Sequence, residues 1–201
     1  MNQQSSKSAE KTADESPNRR SFLKGGAAAA AGASLALPVE SYAQVAGSDK
    51  IKIGLVGAGG RGSGAIVQNL KGSDQAVFSA AGDVFEERLM GTFSKRGAGG
   101  LNKILKQLEN KPNQVELPKE RQFVGFDAFE NVIDNCDLVI LTTPPGFRPE
   151  MFEKAIEAGK HVFMEKPVCT DAKGYNRTIN AAKMADEKGL KVVVGLQRHY
   201  Q

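Results

Sequence analysis

Three glycines, Gly57, Gly59 and Gly62, have the spacing of a phosphate-binding turn. They fit the pattern G-x-G-x-x-G and stand between the apolar run 51–56 and a stretch in which apolar residues recur at helical intervals. A strand, a glycine turn and a helix in this order predict a dinucleotide-binding site. The first glycine lets the chain turn out of the strand, the second lets a pyrophosphate approach the backbone, and the third lets the helix pack on the strand.

Backbone donors and one carboxylate extend this pattern. The N–H groups of Gly60, Arg61 and Gly62 are expected at a helix N-terminus, where unpaired donors and the positive end of the helix dipole favour an anion. Asp83 ends a second apolar stretch, 77–82, and lies 21 residues beyond Gly62. An acidic residue at this place binds the ribose hydroxyls of a dinucleotide. A role for Asp83 as the N-cap of the next helix is compatible with this one.

The composition is that of an ordinary globular protein. The chain has 201 residues, which indicates one or two domains. Its 27 Lys and Arg and 23 Asp and Glu give a net charge of +4, and these charges are spread along the chain. Because there is no basic stripe with interleaved aromatic residues, and aromatic content is only 6%, no nucleic-acid partner is predicted.

The first 43 residues are predicted to be a leader outside the fold. Residues 1–18 are polar, 19–24 read RRSFLK, and 25–37 form a short apolar run rich in Ala and Gly. With the small-x-small site at 41–43 they describe a secretory signal, and the run is too short for a transmembrane helix. The paired arginines resemble the twin-arginine export motif. We therefore expect a periplasmic or otherwise exported protein, with the export machinery as a partner and no stable membrane anchor.

Export by this route bears on the cofactor. Resemblance to twin-arginine substrates implies that the protein folds before it crosses the membrane. Nicotinamide dinucleotides are made in the cytoplasm, so folding first allows the cofactor to be loaded first. The hypothesis that follows is a tightly bound cofactor that is recycled in place.

Short apolar strands alternate with helices along the rest of the chain. Predicted strands cover 51–56, 77–82, 121–124, 137–142, 161–164 and 190–195, and the helices between them include 85–90, 150–158 and 171–188. Strands and helices in alternation imply right-handed crossovers and a parallel sheet covered on both faces. The predicted fold class is therefore α/β, a Rossmann-type doubly wound parallel sheet.

One dinucleotide-binding domain is predicted over 50–195. Within it, 94–120 is rich in Gly and Pro and is interpreted as a surface insertion without assigned chemistry. Residues 196–201 are interpreted as the start of a connection to a further domain.

Polar residues or glycines with a potential role in binding follow five of the six predicted strands. In parallel sheets ligands bind outside the carboxyl ends of the strands. We therefore expect a site where five segments meet: 57–62, Asp83, 142–145, 165–167 and 197–200.

These segments together resemble the signature series of the glucose-fructose oxidoreductase and inositol dehydrogenase (Gfo/Idh/MocA) family, over nearly all of 50–201. The resemblance implies that Lys166 is the catalytic lysine that contacts the reacting hydroxyl. It also implies that Glu165 lines the nicotinamide ribose and that Pro167 is often cis. A buried lysine can lower its own pKa and stabilise a developing alkoxide, which hydride removal from a secondary alcohol requires.

Further cofactor contacts are implied at Thr142, Thr143 and Pro144, the last two along the pyrophosphate and ribose. Asp83 favours NAD over NADP because its carboxylate repels a 2′-phosphate. Arg88 is interpreted as a helix-surface arginine in preference to a phosphate ligand.

Gln197, Arg198 and His199 are candidate substrate-side residues, because the chain leaves the nucleotide domain toward substrate here. For His199, contact with the active site and its absence are equally favoured. His161 opens a strand at the opposite end of the sheet, where a packing role is favoured.

Cys136 precedes the fourth strand and Cys169 follows the Glu-Lys-Pro turn. A strand length at ~3.3 Å per residue separates them, which exceeds the Cα spacing of under about 7 Å that a disulfide tolerates. Two free, mostly buried thiols are expected, and the spacing of potential ligands predicts no metal site.

Family members continue past the Gln-Arg-His segment into a second α/β domain. In the family, that domain supplies the substrate pocket, the His and Asp general acid/base residues and the oligomer interface. The chain ends at Gln201, so we expect that domain to be absent and this chain alone to be inactive. A homo-oligomer is expected only where that domain is present.

Three functions remain open at this point. The first is the nucleotide-binding part of an exported NAD(P)-dependent oxidoreductase acting on a sugar or polyol hydroxyl. The second is an NAD-dependent glycosidase of the same family, which oxidises the sugar transiently and shows no net redox change. The third is a nucleotide-binding module without catalysis.

Overall fold

The apolar run before the glycine turn forms a central strand of a parallel sheet. The computed structural model describes residues 50–92 and 99–199, and in it strand β1 (Ile51–Val56) pairs with β2 (Ala76–Asp83) on one side. β1 is buried from Ile53 onward, and β2 is buried along nearly its whole length. Strands that are covered on both faces require such continuous apolar runs.

Four further strands complete a six-stranded sheet. They are β3 (Gln122–Val124), β4 (Leu138–Leu141), β5 (His161–Met164) and β6 (Val192–Val194). The spatial order is β3-β2-β1-β4-β5-β6, and every pair is parallel. This order confirms the predicted Rossmann-type doubly wound sheet, whose ligand crevice lies where the strand order reverses, between β1 and β4.

Helices cover both faces of the sheet. They are α1 (Gly60–Gly72), α2 (Glu86–Met90), α3 (Leu101–Gln107), α4 (Ala128–Asp134), α5 (Arg148–Glu157) and α6 (Ala172–Glu187). Apolar side chains of the first three helices pack in one buried cluster with Leu55 and Phe78, and those of the last three pack in a second cluster with Val139 and Leu141. Short 3-10 turns span Pro112–Gln114, Lys119–Arg121 and Gln197–His199.

The boundaries of the predicted elements agree with the structure to within about two residues. Gly159 and Gly189 follow α5 and α6 with φ of 71° and 67°, the left-handed conformation that ends many helices. α5 begins two residues earlier than predicted, at Arg148. The predicted signal peptide lies outside the described residues.

Part of the segment predicted as a surface insertion, 94–120, contributes to the core through helix α3 and the residue that follows it. Leu101, Ile104 and Leu108 are fully buried against α1 and β2. Val115 forms a parallel bridge with Phe78 at the edge of β2. The segment was predicted to lie at the surface because it is rich in Gly and Pro. Three apolar residues at helical spacing nevertheless indicated that one helix face is buried. Residues 93–98 lie outside the described part of the chain.

Both cysteines are free, as predicted, and they differ in burial. Cys136 is buried and its sulfur packs against Gly54, where an added Cβ would lie 2.9 Å from Sγ. Burial raises the pKa of the Cys136 thiol from 9.0 to about 12. Cys169 is only partly buried.

Because the pKa of the Cys136 thiol is raised, we expect the free energy of unfolding to fall at alkaline pH. Between about pH 9 and pH 12 the unfolded chain loses this proton and the folded chain retains it, so the free energy of unfolding falls as pH rises. The slope is at most about 1.4 kcal/mol per pH unit. Urea unfolding across this range should give a shallower pH dependence for Cys136→Ala, whereas Cys169→Ala should match the wild type. Equal slopes for wild type and Cys136→Ala would contradict the assignment.

Candidate functional site

The glycine turn connects the end of β1 to the first turn of α1. Gly57 has φ of 91°, and its N–H donates to the carbonyl of Gly82 at 2.8 Å. Gly59 is the N-cap of α1, and its carbonyl accepts the first helical hydrogen bond, from Ser63 N–H at 2.9 Å. The N–H groups of residues 60–62 precede that bond and so have no partner within the helix.

The three glycines of the motif face different surroundings. A Cβ on Gly62 would clash with the Gly57 carbonyl and would lie 2.6 Å from Thr142 Oγ1, so this glycine allows the helix to pack on the strand. A Cβ on Gly59 would meet, among the residues the structure describes, only Arg88 Nη1 at 3.9 Å. The space over Gly59 is therefore open. An anion can approach the backbone there.

Asp83 holds the glycine turn at the end of β2. Its Oδ2 accepts from Ala58 N–H at 2.8 Å, and its Oδ1 accepts from Phe85 N–H at 3.2 Å. The N-cap of α2 is Phe85, so Asp83 does not cap this helix as expected but bonds to the cap residue itself. The carboxylate is partly buried beside the turn.

A second pair of glycines, at 99–100, supports the turn from the other side. Gly100 N–H donates to the Ala58 carbonyl at 2.7 Å and to Ser63 Oγ at 2.8 Å. A Cβ on Gly99 would clash with the Gly59 carbonyl. This contact was missed from sequence, where the segment was assigned no chemistry. Adjacent glycines directly before a helix were the available signal.

Of the three residues after β4 predicted to contact the cofactor, one stabilises the glycine turn and another is exposed. Thr142 Oγ1 donates to the Gly57 carbonyl at 2.6 Å and to the Val56 carbonyl at 3.1 Å, so this hydroxyl stabilises the turn. Thr143 Oγ1 lies 3.3 Å from Met151 Sδ. Pro144 is exposed at the same edge of the sheet.

Glu165 joins the end of β5 to the glycine turn. Its side chain is buried, and its Oε1 accepts from Arg61 Nε at 2.7 Å and Nη2 at 2.5 Å. The side chain of Arg61 is 51% exposed, so the pair lies at the rim of the crevice. Gly195, after β6, packs closely on the carboxylate, since a Cβ there would lie 2.6 Å from Oε1.

Lys166 directly follows Glu165, and the Lys166–Pro167 peptide bond is cis. Lys166 is exposed at the carboxyl edge of the sheet. The sequence analysis expected a buried lysine, but none of the residues that the structure describes covers Lys166.

Arg148 is a site residue that sequence reasoning missed. It is only 3% exposed, and its guanidinium donates to the carbonyls of Thr143, Glu165 and Pro167. Burial lowers the pKa of Arg148, and the nearby charge of Glu165 acts in the opposite direction. The sequence offered no signal for it, because the helix was predicted to begin at residue 150, which left Arg148 in the preceding loop.

The remaining candidates lie around this centre. Gln197, Arg198 and His199 form a 3-10 turn after β6, and the last two are exposed. Arg88 is exposed on α2, as expected for a helix-surface arginine, and its Nη1 lies 3.9 Å from where a Cβ on Gly59 would be. His161 lies at the opposite end of the sheet, where Nδ1 accepts from Lys191 N–H at 3.0 Å, in agreement with a packing role.

Within 50–92 and 99–199 no group of three potential ligands is arranged to hold a metal ion. No helix in these ranges has the length and apolar character needed to cross a membrane.

Residues 51–196 match the sequence family described as "Oxidoreductase family, NAD-binding Rossmann fold" (GFO_IDH_MocA). The chain belongs to the Gfo/Idh/MocA oxidoreductase family. Residues 16–36 match the twin-arginine translocation signal, which confirms the predicted export route.

Some relatives in the family are named as glycosyl hydrolases and others as inositol dehydrogenases. A protein of Solibacter usitatus called "Glycosyl hydrolase family 109 protein" is 30% identical over 75% of this chain and 33% of its own length. "Myo-inositol 2-dehydrogenase" of Thermotoga maritima is 28% identical over 68% of this chain and 34% of its own length. This Gfo/Idh/MocA chain thus spans about a third of the length of these relatives.

A solved structure supports the same relationship. Scyllo-inositol dehydrogenase from Lactobacillus casei, with bound NAD(H) and scyllo-inositol, superimposes with a TM-score of 0.51 at 25% identity. The match covers 76% of this chain and 38% of that one.

The described residues fit a nicotinamide dinucleotide. The space over Gly59 leaves room for a pyrophosphate at the N-terminus of α1. Asp83 places a carboxylate next to that turn, where ribose hydroxyls are bound in such domains. Both features lie at the carboxyl ends of the strands, beside the reversal of strand order.

Because Gly59 and Gly62 have different surroundings, we expect alanine substitutions at these two positions to affect cofactor binding and stability separately. Gly59→Ala should lower the free energy of unfolding by no more than about 1 kcal/mol, since alanine is a poorer N-cap than glycine, but weaken NADH binding at least about tenfold, because the methyl group fills the anion space. Gly62→Ala should lower the free energy of unfolding by about 1–3 kcal/mol, because its Cβ clashes with the Gly57 carbonyl. Urea unfolding and NADH fluorescence titration measure both effects.

Gly72→Ala is the matched control, since an added Cβ there meets no described atom within 4 Å. It should leave NADH affinity unchanged and raise the free energy of unfolding slightly, by at most about 1 kcal/mol, because alanine favours the helix over glycine. Unaltered NADH affinity in Gly59→Ala would contradict the pyrophosphate assignment.

Proposed function

We propose that this domain is the cofactor-binding part of an exported oxidoreductase that acts on a sugar or polyol hydroxyl by hydride transfer. The observation that carries the proposal is the Arg61–Glu165 ion pair. It connects the glycine turn, where the phosphates of the dinucleotide would bind, to the segment that bears Lys166. The phosphate-binding turn and the candidate catalytic lysine therefore belong to one connected crevice edge.

Each group in this crevice has an assigned task in the proposal. Backbone N–H groups of Gly60, Arg61 and Gly62 bind the pyrophosphate, and Asp83 accepts hydrogen bonds from the adenosine ribose. Thr142 positions the turn through its bond to the Gly57 carbonyl. The other proposed cofactor contacts are Gly57, Gly59, Thr143, Pro144, Glu165 and Lys166.

Bound NAD(H) supplies a nicotinamide carbon that accepts or donates a hydride. The chain supplies Lys166, whose ammonium hydrogen-bonds the reacting hydroxyl and stabilises the charge that develops on its oxygen as the carbon gives up its hydride and the hydroxyl proton leaves to solvent. Exposure of Lys166 at the edge of the sheet leaves its amine accessible to a substrate. Gln197, Arg198 and His199 are proposed to lie on the substrate side.

The substrate class follows from the relatives. Named inositol dehydrogenases are among them, and cyclic polyols and sugars share the secondary alcohols that hydride transfer requires. A second candidate is a glycosidase that uses its cofactor transiently, because several relatives carry the name glycosyl hydrolase family 109.

Incubation of the native protein from its source with a panel of polyols and glycosides tests the proposal. Accumulation of reduced nicotinamide with a polyol supports the oxidoreductase. Release of free sugar without reduced nicotinamide supports the glycosidase. Cofactor binding with no turnover on any substrate supports a binding module and overturns the enzymatic proposal.

The export signal and the cofactor lead to a proposal about location. The protein is exported folded to the periplasm, with its cofactor already bound and recycled in place. Purification of the exported protein with nucleotide in about equal amount would support this. Purification without nucleotide, with full dependence on added nucleotide, would contradict it.

Lys166→Ala tests the catalytic assignment. Loss of the ammonium should lower kcat by at least about 100-fold, since a positioned acid–base group at the reacting hydroxyl contributes factors of this size. NADH affinity should stay within about threefold, because the phosphate and ribose contacts remain. Lys173→Ala, an exposed lysine on α6, serves as the control. Unchanged turnover in Lys166→Ala would refute the role.

Asp83→Asn tests the preference for NAD. The amide oxygen can still accept from Ala58 N–H, which keeps the bond to the glycine turn, whereas the amide nitrogen cannot accept from Phe85 N–H. The negative charge that repels a 2′-phosphate is removed. The ratio of NADPH to NADH affinity should rise at least about tenfold in fluorescence titrations. A constant ratio would show that the carboxylate does not set the preference.

A further inference from the structure

Arg148 occupies a place that is unfavourable for a cation. It is the first residue of α5, where the positive end of the helix dipole disfavours positive charge, and it is 3% exposed. Removing a charged group from water costs free energy unless it is well paired and hydrogen-bonded. The apolar face of α5, with Phe152, Ala155 and Ile156 fully buried, already anchors the helix. Arg148 is therefore better explained by the groups it holds than by the needs of the helix.

The partners of Arg148 surround Lys166. Nη1 donates to the carbonyls of Glu165 and Pro167, the residues on either side of Lys166 in the chain. Nη2 donates to the carbonyl of Thr143, in the loop after the neighbouring strand β4. A guanidinium presents its donors in a rigid planar fork, so these three bonds restrain the backbone direction at Lys166.

Glu165 is held independently through its side chain. Arg61, in the glycine turn, binds the Glu165 carboxylate, and Arg148, at the start of α5, binds the Glu165 main-chain carbonyl. The first contact locates the Glu165 side chain. The second fixes the peptide group that precedes Lys166, and the bond to the Pro167 carbonyl fixes the peptide group that follows Pro167, so the backbone is held on both sides of the Lys166–Pro167 unit.

We propose that Arg148 is a positioning residue that orients Lys166 toward the nicotinamide end of the cofactor crevice. The inference rests on the proposed function, since it takes Lys166 as the residue next to the nicotinamide. It adds a residue that acts through the main chain and does not itself touch cofactor or substrate.

The test uses the shielding of Lys166 by cofactor in the 201-residue chain. Competitive acetylation with acetic anhydride, read by mass spectrometry, gives the labelling rate of Lys166 with and without saturating NADH. NADH affinity is measured in parallel by fluorescence. The variants are Arg148→Met, which removes the donors, and Arg148→Lys, which keeps the cation without the fork.

Wild-type Lys166 should be labelled at least about tenfold more slowly when NADH is bound, whereas Arg148→Met should lose most of this protection with NADH affinity within about threefold of wild type. A merely structural role would lower affinity and stability together and leave no selective effect at Lys166. Protection equal to wild type in folded Arg148→Met would overturn the proposal.

Arg148→Lys decides the matter if Arg148→Met does not fold. Protection reduced at least about threefold in the folded lysine variant would support the proposal, because one ammonium cannot reproduce the planar fork. Full protection would overturn it. The control is Arg177→Met, which removes an arginine that joins α6 to Glu150 and Glu153 of α5, and it should retain wild-type protection.

A failure of the proposed function gives a different result. If the wild type binds NADH but Lys166 is not protected, the placement of Lys166 beside the nicotinamide is wrong. If wild type and both Arg148 variants are protected alike, that placement holds and only the positioning role is contradicted.

Discussion

Helix α1 approaches the end of β1 so closely that only a glycine fits at position 62, and the rest of the crevice depends on this contact. A side chain there would meet the Gly57 carbonyl, the same group that accepts from Thr142 Oγ1. The turn is then secured from three directions, by Thr142 of β4's carboxyl end, by Asp83 of β2 and by Gly100 before α3. These bonds fix the shape of the turn, and the space over Gly59 stays open to a ligand beside the N–H groups of residues 60–62.

Two arginines organise the other half of the crevice around a buried acid. Glu165 is one of few buried charged residues in the described ranges, and a buried carboxylate requires a partner. Arg61 supplies that partner from the glycine turn, and Arg148 binds the main chain on both sides of Lys166. The ends of β1, β4 and β5 are consequently tied to one another by charge-assisted hydrogen bonds, which are stronger than neutral ones.

The domain accounts for cofactor recognition better than for substrate recognition. The crevice, Asp83 and the Glu165–Lys166 segment lie within the described part of the family match, which spans about a third of the length of the curated relatives. Lys166 is exposed, and the turn at 197–199 is exposed at Arg198 and His199. Residues that we propose to lie next to the substrate are thus exposed at the surface of this domain.

The sequence by itself determined the alternation of strands and helices, the glycine turn, the place of Asp83 and the export signal. These are local patterns, in which a residue's role depends on its immediate neighbours in the chain. Tertiary structure alone decided that Arg61 meets Glu165, 104 residues away, and that Gly99 contacts Gly59. It also decided that Arg148 holds the backbone around Lys166. Such contacts form only when crossovers bring separate strand ends to one edge, and no local pattern encodes which side chains then come within hydrogen-bond distance.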